Sequence, residues 1–192
     1  MVDDIIRILH ESAALKQEVA ATQAVAIRTM IAMVCESFRR GGKLLLCGNG
    51  GSAADAQHLA TECMVRLQAD RRPLPAIALT TDTSLLTAAG NDWGFETIFA
   101  RQVEGLGQAG DILLALSTSG NSRNVLRAVE VARCRDIRTI GLLGHTGGVL
   151  RECVDLAVVV PSANTQRIQE VHITIGHILC ETLERQVVAQ TL

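Results

Sequence analysis

Aromatic residues are scarce: the 192-residue chain has three Phe, one Trp and no Tyr, so it lacks the stacking platforms that grip single-stranded nucleic acid. A basic surplus is missing too. Eighteen Lys and Arg stand against 20 Asp and Glu, for a formal net charge of −2, and without a net-basic surface neither nucleic acid nor an acidic membrane is an expected partner. No apolar run approaches the roughly 20 residues that cross a bilayer. No basic segment followed by an apolar stretch opens the chain, so a cytoplasmic protein is expected. The six cysteines include no C-x-x-C pair and read as reduced, small buried hydrophobes. A G-x-x-x-x-G-K-[ST] motif is also absent, which disfavours a nucleoside triphosphatase.

What is present is the composition of one soluble α/β domain, spanning 1–192, with 48% hydrophobic and 20% charged residues. From Asp3 to Arg40 there is no Pro or Gly, and Ile5, Ile6, Leu9, Ile27, Met30, Ile31, Val34 and Phe38 recur at helical spacing. Unbroken, that helix is about 57 Å long, against a radius of gyration of about 16 Å for a domain of this size. It is therefore either broken or packed on other subunits, and the second option favours an oligomer. After Gly41-Gly42 come five short apolar runs: Lys43–Cys47, Ala76–Leu79, Ile112–Leu116, Thr139–Leu143 and Leu156–Val160. Such continuous runs suit a parallel sheet covered on both faces. Helices are expected at Ala53–Arg66, Glu96–Leu106, Asn124–Cys134 and Thr165–Gln186, with function in the loops at the strands' carboxyl ends.

Two of those loops have an anion-binding character. Gly48-Asn49-Gly50-Gly51-Ser52-Ala53 joins a strand to a helix, whose free N–H groups can face a phosphate. Its spacing also satisfies the dinucleotide fingerprint G-x-G-x-x-A, but the acidic ribose partner is misplaced: Asp70 precedes the second strand and Asp82 comes too late. Ser52 reads equally as a helix cap paired with Asp55. The second loop, Ser117-Thr118-Ser119-Gly120-Asn121-Ser122, carries four hydroxyls and several amides in six residues, more than a serine turn needs. Such groups hold a monophosphate ester without a fixed cation.

Acid–base and metal candidates lie on two helices. His58 and Glu62 share a face four residues apart, where they can share a divalent metal or Glu62 can act as a base. The C-terminal helix adds Gln169, Glu170, His172 and His177, although a satisfied core histidine is the default for either imidazole alone. His10 and His145 are given no role.

Four ordered motifs then carry a resemblance across nearly the whole chain: CGNGGSAADAQHLATE (Cys47 to Glu62), TTDTSLLTAAGNDWGFE (Thr80 to Glu96), STSGNS (Ser117 to Ser122) and RIQEVHITIGH (Arg167 to His177). Together they resemble the phosphoheptose isomerase family, single-domain members of the sugar isomerase (SIS) fold group. One local departure is Trp93, where the family often has another aromatic. The resemblance implies a three-layer α/β sandwich around a five-stranded parallel sheet, assembled as a homotetramer with its active site at a subunit interface. It implies one zinc per subunit on His58, Glu62, Gln169 and His177. Substrate contacts carry over onto Asn49, Gly50, Gly51, Ser52, Glu62, Asn91, Asp92, Ser117, Thr118, Ser119, Ser122 and Gln169. The implied activity converts sedoheptulose 7-phosphate to D-glycero-D-manno-heptose 7-phosphate through an enediol, the first step towards ADP-heptose and surface heptose. Glu62 is the implied base and His177 the implied acid. The competing readings are a non-catalytic SIS-domain sensor or replication-initiator-binding protein, and a dinucleotide-dependent oxidoreductase. Gln169 and His177 are eight residues apart, about 12 Å along a straight helix, so one of them is expected to come from a neighbouring chain, the alternative being a bent helix that serves both from one chain.

Overall fold

The five apolar runs form five strands: β1 (Leu44–Cys47), β2 (Ala76–Ala78), β3 (Ile112–Ser117), β4 (Arg138–Gly144) and β5 (Leu156–Val160). In the computed structural model, which describes residues 1–189 and 192, they pair in parallel in the order β2-β1-β3-β4-β5. The expected domain span also includes residues 190 and 191, which lie outside the described residues. Successive strand residues face opposite sides, and this divides the core in two. Leu44, Leu46, Ile112, Leu114 and Leu142 face one layer, packed under α1 (Val2–Arg39), α2 (Gly51–Met64) and α7 (Thr165–Val188). Leu45, Cys47, Leu113, Ala115 and Leu143 face the other, under α3 (Thr83–Trp93), α4 (Ala100–Leu106), α5 (Arg123–Cys134) and α6 (Leu150–Cys153). Each fully buried Leu or Ile contributes about 1.5–3 kcal/mol, which is why all six residues of β3 are apolar or close the strand on a buried Ser117.

Helix α1 runs unbroken for 38 residues. Its second half, including Met30 and Val34, joins the core, whereas Ile5, Ile6 and Leu9 are exposed. It also corrects the membrane expectation on one point. An 18-residue window of α1 has a mean hydropathy of 1.3, so length and composition alone would let it span a bilayer. Only 28% of that window is buried, and the buried part of α1, with Met30 and Val34, packs on the sheet and α7. Two helices were not anticipated, α3 and the four-residue α6. Among the residues of α3 only Ala89 is fully buried, and its Thr, Gly and Asn content lowers helix propensity. Asp82 starts it by accepting the Leu85 N–H at 2.9 Å. The expected Glu96–Leu106 helix is instead a 3₁₀ turn at Phe95–Thr97 followed by α4.

All six cysteines are free thiols; four are buried, while Cys153 is partly covered and Cys134 is exposed, which departs from the buried expectation.

Candidate active site

The strand order reverses between β1 and β3, so the two loops leaving these strands flank the crevice where α/β sheets bind ligands. Gly50, with φ +55°, is the N-cap of α2, and no side chain caps the helix. Ser52 therefore sits one residue inside the helix, buried, and the expected Ser52–Asp55 capping pair does not form. In the second loop, Ser117 Oγ accepts the Gly120 N–H at 3.1 Å and lies 3.0 Å from Ser122 Oγ. Ser119 Oγ accepts the Asn121 N–H at 3.2 Å, so part of this loop is a serine turn. Gly120 (φ +67°) has no room for a side chain, because a Cβ there would collide with the Gly147 carbonyl.

Sequence reasoning missed the link between the loops. Asn49 and Asn124 exchange two amide hydrogen bonds of 2.8 Å, tying the first loop to the start of α5. Beside this pair an open cleft of about 440 Å³ is lined by Asn49, Ser122, Arg123, Asn124 and the Gly94–Glu96 stretch. One signal could have found Asn124: it occupies a buried register of α5 alongside Val125 and Ala128. Asn91 and Asp92 lie at the exposed end of α3, bonded to each other at 2.9 Å, two residues before the cleft lining.

On the other face of the sheet, α2 and α7 run parallel. Leu59 occupies the space where Gly176 would carry a Cβ, and the Gln169 amide does the same for Gly51. This alignment brings His58 Nε2 to 2.8 Å from His177 Nε2, with the rings edge to face, and His58 Nε2 to 3.4 Å from Glu62 Oε1. One donor atom from each of His58, Glu62 and His177 lies within 4.8 Å of the others. His177 thus meets His58 and Glu62 within one chain, and Gln169 of the same chain lies against Gly51. Positions eight apart on α7 meet positions seven apart on α2 of the same chain.

Two imidazole nitrogens and a carboxylate oxygen suit zinc. Tetrahedral bonds of about 2.1 Å separate neighbouring donors by about 3.4 Å, which matches the His58–Glu62 spacing and requires the His58 and His177 nitrogens, 2.8 Å apart, to separate slightly. Among His, Cys, Asp and Glu side chains of the described residues, this is the one cluster close enough to hold a cation. One turn before His58, burial pushes the Asp55 carboxyl up to about 6, partly offset by the His58 charge. Its Oδ2 has no hydrogen-bond partner. His172 behaves as the core histidine expected of an apolar helix. It is fully buried, its Nε2 donates to the Leu143 carbonyl at 3.1 Å, and burial pushes it down to about 4. Asp82, the alternative ribose ligand, is committed to capping α3.

Residues 8–144 match the SIS domain family. The phosphoheptose isomerase of Pelobacter propionicus is 54% identical over 189 residues, covering 98% of this chain and all of that one. Among solved structures, a phosphoheptose isomerase from Francisella tularensis superposes with a TM-score of 0.93 at 41% identity, covering 96% of this chain and 98% of that one. The phosphoheptose isomerase from Neisseria gonorrhoeae gives 0.90 at 41% identity, with 95% and 98% covered.

Proposed function

Since this chain belongs to the SIS domain family and, within it, to the phosphoheptose isomerases, we propose that it interconverts sedoheptulose 7-phosphate and D-glycero-D-manno-heptose 7-phosphate, at the head of heptose biosynthesis. It is an isomerase. The observation that carries the reading is the convergence of His58, Glu62 and His177 in one cluster on α2 and α7, with α2 starting directly at the glycine-rich first loop. His58 lies seven residues into α2, about 10 Å from its first residue, a length that a seven-carbon sugar phosphate spans.

In this reading Ser52, Ser117, Thr118, Ser119 and Ser122, with the amides of Gly50 and Gly51, hold the phosphate at the N-termini of α2 and α5. Asn49, Asn91, Asp92 and Gln169 bind the sugar hydroxyls, and this fixes the reacting end. Glu62 removes a proton from C1 of the ketose and returns one to C2, while His177 moves a proton between the two oxygens. One carbon is oxidised as its neighbour is reduced, so no external hydride acceptor enters. His58, Glu62, Gln169 and His177 would hold one zinc, which when bound polarises the sugar oxygens and favours the enediol. A carboxylate has two oxygens; the one facing His58 leaves the other for the carbon-bound proton.

A single domain over 1–192 and a cytoplasmic location belong to the same reading. So does a homotetramer, supported by the exposed Ile5, Ile6 and Leu9 of α1 and by an apolar groove between α1 and α7 containing Ala24, Ile27, Ile31 and Ile178. A non-catalytic sensor or replication-initiator-binding role is not favoured, because relatives that match end to end are phosphoheptose isomerases. The test is purified protein with sedoheptulose 7-phosphate, with and without zinc, followed by product analysis. Formation of the aldose heptose 7-phosphate, but no reaction of unphosphorylated sedoheptulose at equal concentration, is expected. Failure to form the aldose in zinc-loaded protein would overturn the proposal.

A further inference from the structure

Beyond the His58, Glu62 and His177 cluster, α2 ends in a buried polar knot to which the isomerisation reading gives no part. The last carbonyls of a helix have no intrahelical donors. Here Arg71 supplies them: Nη2 donates to the Glu62 carbonyl at 2.7 Å and Nη1 to the Cys63 carbonyl at 2.8 Å. Glu184, on α7 seven residues past His177, accepts the N–H groups of Leu67, Gln68 and Ala69, each at 2.9 Å. Its Oε2 lies 3.3 Å from Arg71 Nε, and the two side chains are only 6% and 2% exposed. Three successive N–H groups turned on one carboxylate form an anion nest, and a cation at a helix C-terminus complements the helix dipole. Burial opposes ionisation of Glu184, yet the three N–H donors and Arg71 outweigh it and hold the carboxyl below its usual range.

The seam between α2 and α7 is therefore ordered step by step. Gln169 lies on Gly51 and Gly176 on Leu59, His177 meets His58, Cys180 Sγ lies 3.9 Å from Cys63 Sγ, and the Arg71–Glu184 knot comes next. We propose that Arg71 and Glu184 are positioning residues for the cation cluster, fixing the register of α2 on α7 and so the separation of His58 from His177 and the direction of Glu62. The Glu62 main chain is itself an Arg71 acceptor, so the guanidinium acts one residue's backbone away from the carboxylate. A slip of one residue along the seam moves a side chain by about 1.5 Å and turns it by about 100°, more than metal–ligand bonds of about 2.1 Å tolerate. A buried ion pair is also a poor source of net stability compared with apolar packing, which favours a role in geometry.

The inference rests on the reading that the trio holds a divalent cation. Its test is a Co²⁺ titration of the metal-free full chain, read by visible absorption, for wild type, Arg71→Lys and Glu184→Gln. Asp111→Asn, a buried carboxylate before β3 whose partners Lys43 and Gln108 lie outside the α2–α7 seam, serves as a control with its own loss of stability. The expected result is an apparent Kd for Co²⁺ raised at least about tenfold in both knot variants and unchanged in Asp111→Asn. With saturating zinc, kcat falls about 10- to 100-fold while KM stays near wild type. Wild-type Co²⁺ affinity in both knot variants, or an equal loss in Asp111→Asn, overturns the inference and leaves the cation reading standing. If Arg71→Lys does not fold, Glu184→Gln, which keeps the shape and one acceptor oxygen, decides by the same comparison. No Co²⁺ binding by wild type would overturn the cation reading and this inference with it.

Discussion

The two ends of the sheet use the same kinds of polar residue in opposite ways. At the amino ends of the strands, carboxylates are saturated. Asp111 accepts the Lys43 N–H at 2.9 Å, the Gln108 N–H at 2.8 Å and the Lys43 ammonium at 2.6 Å. Asp155 accepts the Thr139 N–H and hydroxyl at 2.7 and 2.8 Å. At the carboxyl ends and along α2 and α7, polar groups are left short of partners. Among the described residues, buried side-chain atoms without a hydrogen bond include Asp55 Oδ2 on α2 and Arg167 Nε and His172 Nδ1 on α7, whereas Arg71 Nε, near the amino end of β2, is ion-paired with Glu184. Unmet hydrogen-bonding capacity costs stability, so a fold carries it where a ligand or a reaction uses it. The lower end holds the strands in register, and the upper end keeps its groups available.

Substitutions at the two ends are expected to separate activity from stability. The largest effect is expected from Glu62→Gln, which is nearly isosteric but cannot accept a carbon-bound proton. Turnover should fall about 10³-fold or more, with the thermal midpoint close to wild type. Mixing this variant with His177→Ala protein should restore no activity in hybrid oligomers, because both residues serve one chain's cluster. Recovered activity would place them in different chains.

Asp111→Ala is the mirror experiment. It strands a Lys43 ammonium whose side chain is only 20% exposed and should cost about 3–4 kcal/mol of unfolding free energy in a denaturant titration. The kcat/KM per folded molecule should not change; a matching loss of activity would erase the distinction between the ends.

His172 gives the comparison a pH signature. Its folded imidazole is pushed down to about 4 from an ordinary 6.5, so the unfolded chain binds the extra proton between those values. The stability it contributes is intact above about pH 6.5 and is lost as pH falls towards 4, by up to about 3 kcal/mol. Unfolding titrations of wild type and His172→Gln across that window should show the acid slope flattened in the variant. A smaller effect is expected in the second loop: Ser119→Ala and Ser122→Ala should each weaken substrate binding by about 1–2 kcal/mol, with little change for unphosphorylated sedoheptulose.

The sequence made the sheet and both loops legible, because buried parallel strands read as continuous apolar runs and the loops are dense in Gly, Ser and Thr. It exposed His58 and Glu62 as a pair, since four residues on one helix share a face. It did not show that His177 closes on them within the chain, which depends on α2 and α7 running parallel. Helix α3 escaped because its residues have weak helical propensity and a mostly exposed surface. Arg71 and Glu184 belong to no motif in the sequence, for their burial comes from a turn that folds back on α7. Asn124 was readable in principle as an amide in a buried helical register, though its partner Asn49 lies 75 residues away.

The central claim is that the Glu62 cluster moves a proton between neighbouring carbons of a sugar phosphate, and isotope transfer tests it most directly. Zinc-loaded protein would be incubated with sedoheptulose 7-phosphate in D₂O, with C2 of the aldose product followed by NMR. The account predicts deuterium at C2 in wild-type product and almost no product from Glu62→Gln. An aldose carrying only protium at C2, formed equally well by Glu62→Gln, would contradict it.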